Sequence, residues 1–279
     1  MRLREEVFEQ EEFSAHVGSD YVLVSLDFPN SEEAKAKVPN PARNEEISKK
    51  YNIQGFPTVL LMTAEGEVFG QSGYTGATPA DYLADVKKQR VEGKKALAEI
   101  KLIQAEFDSA EDKMAVVKKA ITKLEDLGDG IGGDVLAGIL RKGFEADPED
   151  KAGLKLPSLK ALLSSGQAGD AELAMAKDAD PKNEHGLMEH VVSAAANALQ
   201  SLEDVEKFVV LCDELQATGK IHDQKVVGFL WVNAAYFCNE YLERPEDAKT
   251  WAKRAKALEG LGEQEMQVIN EILGETDAA

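Results

Sequence analysis

The chain contains two cysteines, Cys212 and Cys238, and a thiol pair can carry redox chemistry, hold a metal ion or pack inertly. Neither cysteine lies in a Cys-x-x-Cys motif, the arrangement that lowers the pKa of a reactive thiol. Both fall on the apolar sides of consecutive predicted helices, where they could face each other. This placement favours two buried, inert thiols, with a disulfide as the alternative.

The histidines do not form a metal-binding pattern. His185 and His190 are five positions apart and therefore lie off a common helix face, and no Cys or acidic cluster completes a ligand set. The glycine-rich stretch 128–134 lacks both the Lys-Ser/Thr of a phosphate-binding loop and the ligand spacing of a calcium loop. We therefore predict no metal and no cofactor, and we interpret stretch 128–134 as a connector between helices.

The net charge of −19 is spread along the chain. A surface of this sign repels nucleic acid phosphates and anionic lipids, so we predict neither nucleic acid nor a membrane as a partner. No apolar run approaches the roughly 20 residues that cross a bilayer. The first residues, MRLREEVFEQEEF, lack the apolar stretch of an export signal. The compartment stays open, since an additional N-terminal segment would make a periplasmic or extracytoplasmic location plausible.

Residues 1–91 mix strand and helix patterns and are predicted to form one domain. Short apolar, β-branched runs predict a buried strand over Tyr21–Asp27 and further strands over Thr58–Thr63 and Glu67–Gln71. Helices are predicted over residues 2–14, from Asn44 as cap to Tyr51, and from Thr78 as cap to about Arg90.

Residues 92–279 lack strand patterns and are predicted to form a helical domain. The expected helices cover about 93–106, 110–127, 133–145, 157–165, 169–178, 184–199, 202–217, 223–242, 246–258 and 263–273.

The pair 223–242 and 246–258 is similar to a tetratricopeptide unit. Small residues stand where paired helices approach each other, and aromatic residues are expected to fill between them: Ala234, Ala248, Ala255, Tyr236, Tyr241 and Trp251. Since a solenoid needs at least about three such units, a compact helical domain without repeats is the alternative.

Residues 47–76, ISKKYNIQGFPTVLLMTAEGEVFGQSGYTG, resemble the second half of a thioredoxin-like protein. The resemblance extends over about residues 1–90. It implies an α/β thioredoxin-like domain, incomplete at its N-terminus and followed by the all-α domain. It also implies that Pro57 is the family's cis-proline and that Phe56, Pro57 and Thr58 hold a substrate backbone.

The chain departs from the family at the redox site. Met1–Phe8 resembles the helix just past the second redox cysteine, so the Cys-x-x-Cys is absent and no catalytic residue can be assigned. We expect an N-terminally truncated form in which Met1 is an internal methionine. A natural redox-dead paralogue is the alternative.

The resemblance implies thiol–disulfide exchange on protein substrates, with the cysteine pair missing from this chain. The alternative is a non-catalytic module that binds a peptide or partner protein through the thioredoxin-like surface and the helical domain. In both cases the expected partner is a polypeptide, and the oligomeric state is not indicated.

Overall fold

A computed structural model describes residues 2–29, 31–51, 53, 55–128 and 131–275. Of these residues, 2–102 and 131–132 form one compact unit, and 103–128 and 133–275 form the second.

The first unit combines helices with one β-hairpin. Its elements in chain order are a π-helical segment Arg4–Phe8, helices α1 Glu11–Val17, α2 Glu32–Lys35 and α3 Pro41–Lys50, strands β1 Thr58–Met62 and β2 Val68–Gly73, and helix α4, which runs Pro79–Ser109 and enters the second unit.

The hairpin is antiparallel, with Thr58 opposite Gly73 and an irregularity between Leu61 and Met62. Its tight turn places Gly66 at a φ of 87°, where a residue without a Cβ is favoured. The strands predicted over Thr58–Thr63 and Glu67–Gln71 are therefore confirmed, with boundaries shifted by one or two residues.

The core of the first unit lies between α1, the hairpin and α4. Leu3, Val7 and Phe13 are buried there and form the apolar side of the N-terminal segment. They pack in one cluster with Phe69 of β2 and Val86 of α4. The N-terminal helix itself is broken, since the π-helical segment ends at Phe8 and α1 begins at Glu11.

Gly93 allows α4 to approach β2 at backbone distance. A Cβ built on Gly93 would lie 1.6 Å from the carbonyl oxygen of Phe69. The helix break predicted between about Arg90 and residue 93 is wrong, because α4 continues through this glycine. Here glycine serves close packing rather than helix termination.

The prediction of a buried strand over Tyr21–Asp27 is also wrong. Residues 21–29 have no regular secondary structure, and Val22 and Val24 are 91% and 77% exposed. The β-branched composition favours an extended backbone, but a strand also needs a partner edge. In the described part of the chain, β1 and β2 pair with each other and no strand pairs with this segment.

The second unit is helical. Beyond the end of α4, its helices are α5 Lys113–Leu127, α6 Gly133–Ala146, α7 Lys155–Ser164, α8 Asp170–Ala179, α9 Leu187–Asn197, α10 Leu202–Thr218, α11 Gln224–Glu240, α12 Pro245–Lys256 and α13 Glu263–Leu273. The corresponding predicted helices are confirmed, and side-chain caps at Asp112, Ser201 and Asp223 begin three of them.

Helices α11 and α12 pack closely, with the small residues Ala234, Ala248 and Ala255 fully buried between neighbours. Trp251 is buried as predicted. Tyr236 and Tyr241 are not buried, since their side chains are 42% and 51% exposed. The centroids of their two rings lie 6.0 Å apart. Both side chains therefore lie at the surface and do not fill the helix interface. Whether this pair belongs to a true repeat stays a prediction.

A buried carboxylate joins two loops of the second unit. Glu189 of α9 is 4% exposed. Its Oε1 accepts hydrogen bonds from Asn183 Nδ2 at 3.1 Å and from the His222 backbone N–H at 2.6 Å. Its Oε2 accepts from the Asp223 backbone N–H at 3.1 Å. The loops before α9 and α11 are therefore fixed to one side chain.

We expect Gly93→Ala to lower the free energy of unfolding of the first unit by about 2 kcal/mol or more, because the new methyl group collides with backbone that cannot rotate away. Hydrogen exchange of the β1 and β2 amides in increasing urea measures this change. The matched control is Gly138→Ala in α6, where a Cβ meets nothing within 4 Å. In that variant, the free energy of unfolding of the second unit should rise by roughly 0.5–1 kcal/mol, because alanine has the higher helix propensity. Wild-type protection of the hairpin in Gly93→Ala would contradict the close approach.

Candidate peptide-binding site

The loop that leads into β1 is held in shape at both of its ends. Thr58 Oγ1 donates a hydrogen bond to the Gly55 carbonyl oxygen at 2.7 Å, and the Thr58 backbone pairs with Gly73 at the start of the hairpin ladder. Between them, the Phe56–Pro57 peptide bond is cis. The structure therefore places the three predicted substrate-binding residues, Phe56, Pro57 and Thr58, in one short, shaped loop.

A stacked aromatic pair, of which Phe56 is exposed and Phe28 half-buried, marks this loop. Phe56 is 62% exposed, and its ring stacks on that of Phe28 with the centroids 4.7 Å apart and the planes at 26°. Stacked rings at this distance attract each other, and Phe56 stays largely exposed in the pair. A partner chain would find an apolar platform here.

Phe28 was not predicted as part of the site. Asn44, whose side chain binds the backbone next to Phe28, was not predicted as part of it either. Asn44 is 7% exposed, and its Nδ2 donates to the carbonyl oxygen of Asp27 at 3.1 Å, next to Phe28. We predicted Asn44 as the cap of α3, and this prediction is wrong. The cap is Asn40, whose Oδ1 accepts from the Arg43 backbone N–H at 3.2 Å. The Asn40-Pro41 pair was a usable signal, since proline favours the first helical position.

Tyr74 follows β2 and connects the hairpin to the N-terminal segment. Its hydroxyl donates to Glu6 Oε2 at 2.7 Å. That hydrogen bond, together with partial desolvation and the negative charge of Glu6, raises the pKa of Tyr74. The phenol therefore stays protonated at neutral pH and acts as a hydrogen-bond donor rather than as a base.

A family model for the thioredoxin-like domain matches residues 1–90. This part of the chain is a thioredoxin-like domain. A mostly helical region follows it. The chain is also similar to a curated protein of Chlamydia pneumoniae named "Disulfide bond reductase DsbH", with 24% identity over 87 residues. The match covers 31% of this chain and 51% of the relative, so the chain spans about half the length of that protein. No solved structure matches the chain significantly.

The loop at Phe56 contributes no ionisable side chain. Phe56 and Pro57 carry no ionisable group, and the Thr58 hydroxyl is engaged with Gly55. Among the residues that the structure describes, no group of three or more His, Cys, Asp or Glu side chains could hold a metal ion. In the same residues, no helix has the length and apolar character that a membrane span requires.

Both cysteines belong to the second unit and are free. Each is fully buried in the cluster formed mainly by α10, α11 and α12. Burial raises the pKa of Cys212 far above its ordinary value and raises the pKa of Cys238 to about 11. An apolar environment disfavours the thiolate, which is the nucleophilic form. These thiols fit the prediction of inert core residues.

We expect Cys212 and Cys238 to react with a thiol-specific reagent at least 100-fold more slowly in the folded protein than in 8 M urea at pH 7. Burial of the sulfur and the raised pKa both remove accessible thiolate, so a rise in pH from 7 to 8 should leave the folded-state rate low. Alkylation followed by mass spectrometry measures both rates. Rapid labelling of the native protein at neutral pH would contradict this assignment.

Proposed function

We propose that this protein takes part in thiol–disulfide exchange on protein substrates, with the thioredoxin-like domain holding the substrate backbone at Phe56, Pro57 and Thr58. The observation that carries the proposal is the exposed, shaped loop of these residues within a thioredoxin-like domain. Its stacked Phe56–Phe28 pair offers apolar contact to an extended chain. The name of the Chlamydia relative agrees with this class of reaction.

The exchange reaction requires a thiol pair other than Cys212 and Cys238. A thiolate attacks one sulfur of a disulfide, a new S–S bond forms as the old one breaks, and the departing sulfur leaves as a thiolate. A second thiol then displaces the substrate and completes a two-electron transfer. In our proposal these two thiols lie outside the 279 residues. The helical region then contributes recognition of a partner or substrate.

The second candidate function is a non-catalytic module that binds a peptide or a partner protein. One observation favours it: both thiols of the chain are buried and have raised pKa values. In this case the loop at Phe56 still binds a polypeptide, but no covalent intermediate forms.

The intact mass of the native protein from its source cells, before and after alkylation, distinguishes the two functions. Thiol–disulfide exchange requires a mass above 30.4 kDa and two additional thiols that change state with a reductant. A mass near that value with two buried thiols would support the second candidate, a module that binds peptides without redox chemistry. Thioredoxin-like rates of insulin reduction by the 279-residue chain would contradict both proposals as stated.

We expect Phe56→Ala and Pro57→Ala each to weaken the binding of an extended peptide at least tenfold, because each removes exposed apolar surface from the platform. The probe is a fluorescein-labelled ten-residue peptide with one alkylated cysteine between apolar residues, followed by anisotropy. The matched controls are Phe229→Ala, at a 50% exposed phenylalanine of α11, and Pro148→Ala, at an exposed proline of the second unit. Equal binding by all four variants would exclude the loop as the binding site.

A further inference from the structure

The side of helix α4 that faces away from the core carries a heptad pattern. In the part of α4 that belongs to the first unit, six residues follow one another at alternating spacings of four and three: Ala84, Lys88, Val91, Lys95, Ala98 and Leu102. All six are exposed, Val91 to 71% and Leu102 to 70%. A repeat of 3.5 residues marks the a and d positions of a coiled coil. We call these six residues the α4 seam.

The opposite side of α4 fixes the helix to its own unit. Val86, Gly93 and Ile100 repeat every seven residues at the f positions, and all three are buried. Gly93 is the residue at which α4 meets the Phe69 carbonyl oxygen. Since f lies across the helix from a and d, the packing of α4 on its core turns the α4 seam outward. A partner can therefore cover the seam without disturbing the core.

Charged residues flank the α4 seam, with one sign on each side. The e positions, which adjoin the d positions, are all acidic: Asp85, Glu92 and Glu99. The g positions, which adjoin the a positions, are all basic: Lys87, Lys94 and Lys101. In a coiled coil, the e and g residues of two facing helices determine which helices pair and in which direction. The flanks of the seam therefore indicate the partner and its orientation.

We propose that the α4 seam binds the same seam of a second copy of this chain as a parallel, two-stranded coiled coil. In a parallel pair, each g residue faces the e residue five positions further along the other helix. Lys87 then faces Glu92 of the second copy, and Lys94 faces Glu99 of the second copy. The two-fold symmetry repeats both attractive contacts. This inference goes beyond the proposed function and does not depend on it.

The same charges disfavour an antiparallel pair of copies. In that arrangement g positions face g positions and e positions face e positions. Lysine would then meet lysine along one flank, and acidic residues would meet along the other. Like charges held at this spacing repel each other. The parallel direction is therefore the one that the sequence of α4 supports.

Two lysines within the seam set the size and the strength of the assembly. Lys88 and Lys95 occupy a positions, where each would meet its own copy at a cost in stability. From a two-stranded coil their long stems can carry the ammonium groups to water, which a larger bundle would prevent. The charge of −19 on each chain adds repulsion that is largely screened beyond about 10 Å at 0.1 M salt. We therefore expect a weak dimer and no larger assembly.

Sedimentation velocity of the full chain over about 5 to 300 µM measures the association by mass action. We expect the mean mass to rise from 30.4 kDa towards twice that value. Leu102→Glu should lower the association constant at least tenfold, because it places two like charges within the seam. The matched control is Leu202→Glu, at a 58% exposed leucine of α10, and it should stay within twofold of the wild type.

A charge swap tests the parallel direction. Lys87→Glu and Glu92→Lys each turn attractive contacts between the copies into repulsive ones, so each should lower the association constant at least fivefold. The variant that carries both substitutions again has opposite charges at the facing g and e positions of a parallel pair. It should return to within twofold of the wild type. In an antiparallel pair these two positions do not face each other, and the double variant would not recover.

Three outcomes would overturn the proposal. A monomer over the whole concentration range would leave the α4 seam to a helix of another protein. A dimer that Leu102→Glu leaves unchanged would place the contact on another face. A double variant as weak as the single variants would exclude the parallel arrangement. Because none of these variants alters Phe56, Pro57 or Thr58, peptide binding by that loop is measured independently, and failure here leaves the proposed function unchanged.

Discussion

The backbone contact between Gly93 and Phe69 is the constraint on which the first unit depends. A helix usually rests on a sheet through side chains, but here a Cβ would lie 1.6 Å from the Phe69 oxygen, so α4 and β2 meet main chain to main chain. This approach fixes the hairpin against α4, and β1 is positioned by its ladder with β2. The loop at Phe56 takes its place from the start of β1. A single missing methyl group thus determines where the candidate binding site can form.

Local signals predicted the helix starts of the second unit well, although the cap predicted at Asn44 in the first unit is wrong. The caps Asp112, Ser201 and Asp223 satisfy nearby backbone N–H groups through bonds that span two or three residues, so each helix start follows from adjacent residues alone. Strand formation is different, because it needs an edge contributed from elsewhere in the chain. The composition of Tyr21–Asp27 favours an extended backbone but contains no information on whether a partner edge lies beside it.

The same distinction between local signals and long-range contacts applies to the residues of the candidate site. Phe56, Pro57 and Thr58 are contiguous, and a resemblance of short motifs brought them out. Phe28 and Asn44 reach the site through contacts between distant positions, and neither was predicted to belong to it. The buried Glu189 is a further example, since its three donors come from two loops that are separated by whole helices. Such a carboxylate accepts hydrogen bonds from buried backbone groups that are distant in the sequence. A pattern of apolar residues does not indicate which groups these are.

Because both native thiols are buried, they should react little with a dye that is attached to an introduced cysteine for spectroscopy. A cysteine introduced at an exposed position, for example in place of Val24, would stand alone in accepting a maleimide dye under native conditions. Both tryptophans, Trp231 and Trp251, lie in the helical unit with their rings 5.9 Å apart. Their intrinsic fluorescence would therefore report on that unit, while the attached dye would report on the thioredoxin-like domain. The two halves of the molecule can in this way be followed separately in one cuvette, without removing a single natural residue from the core.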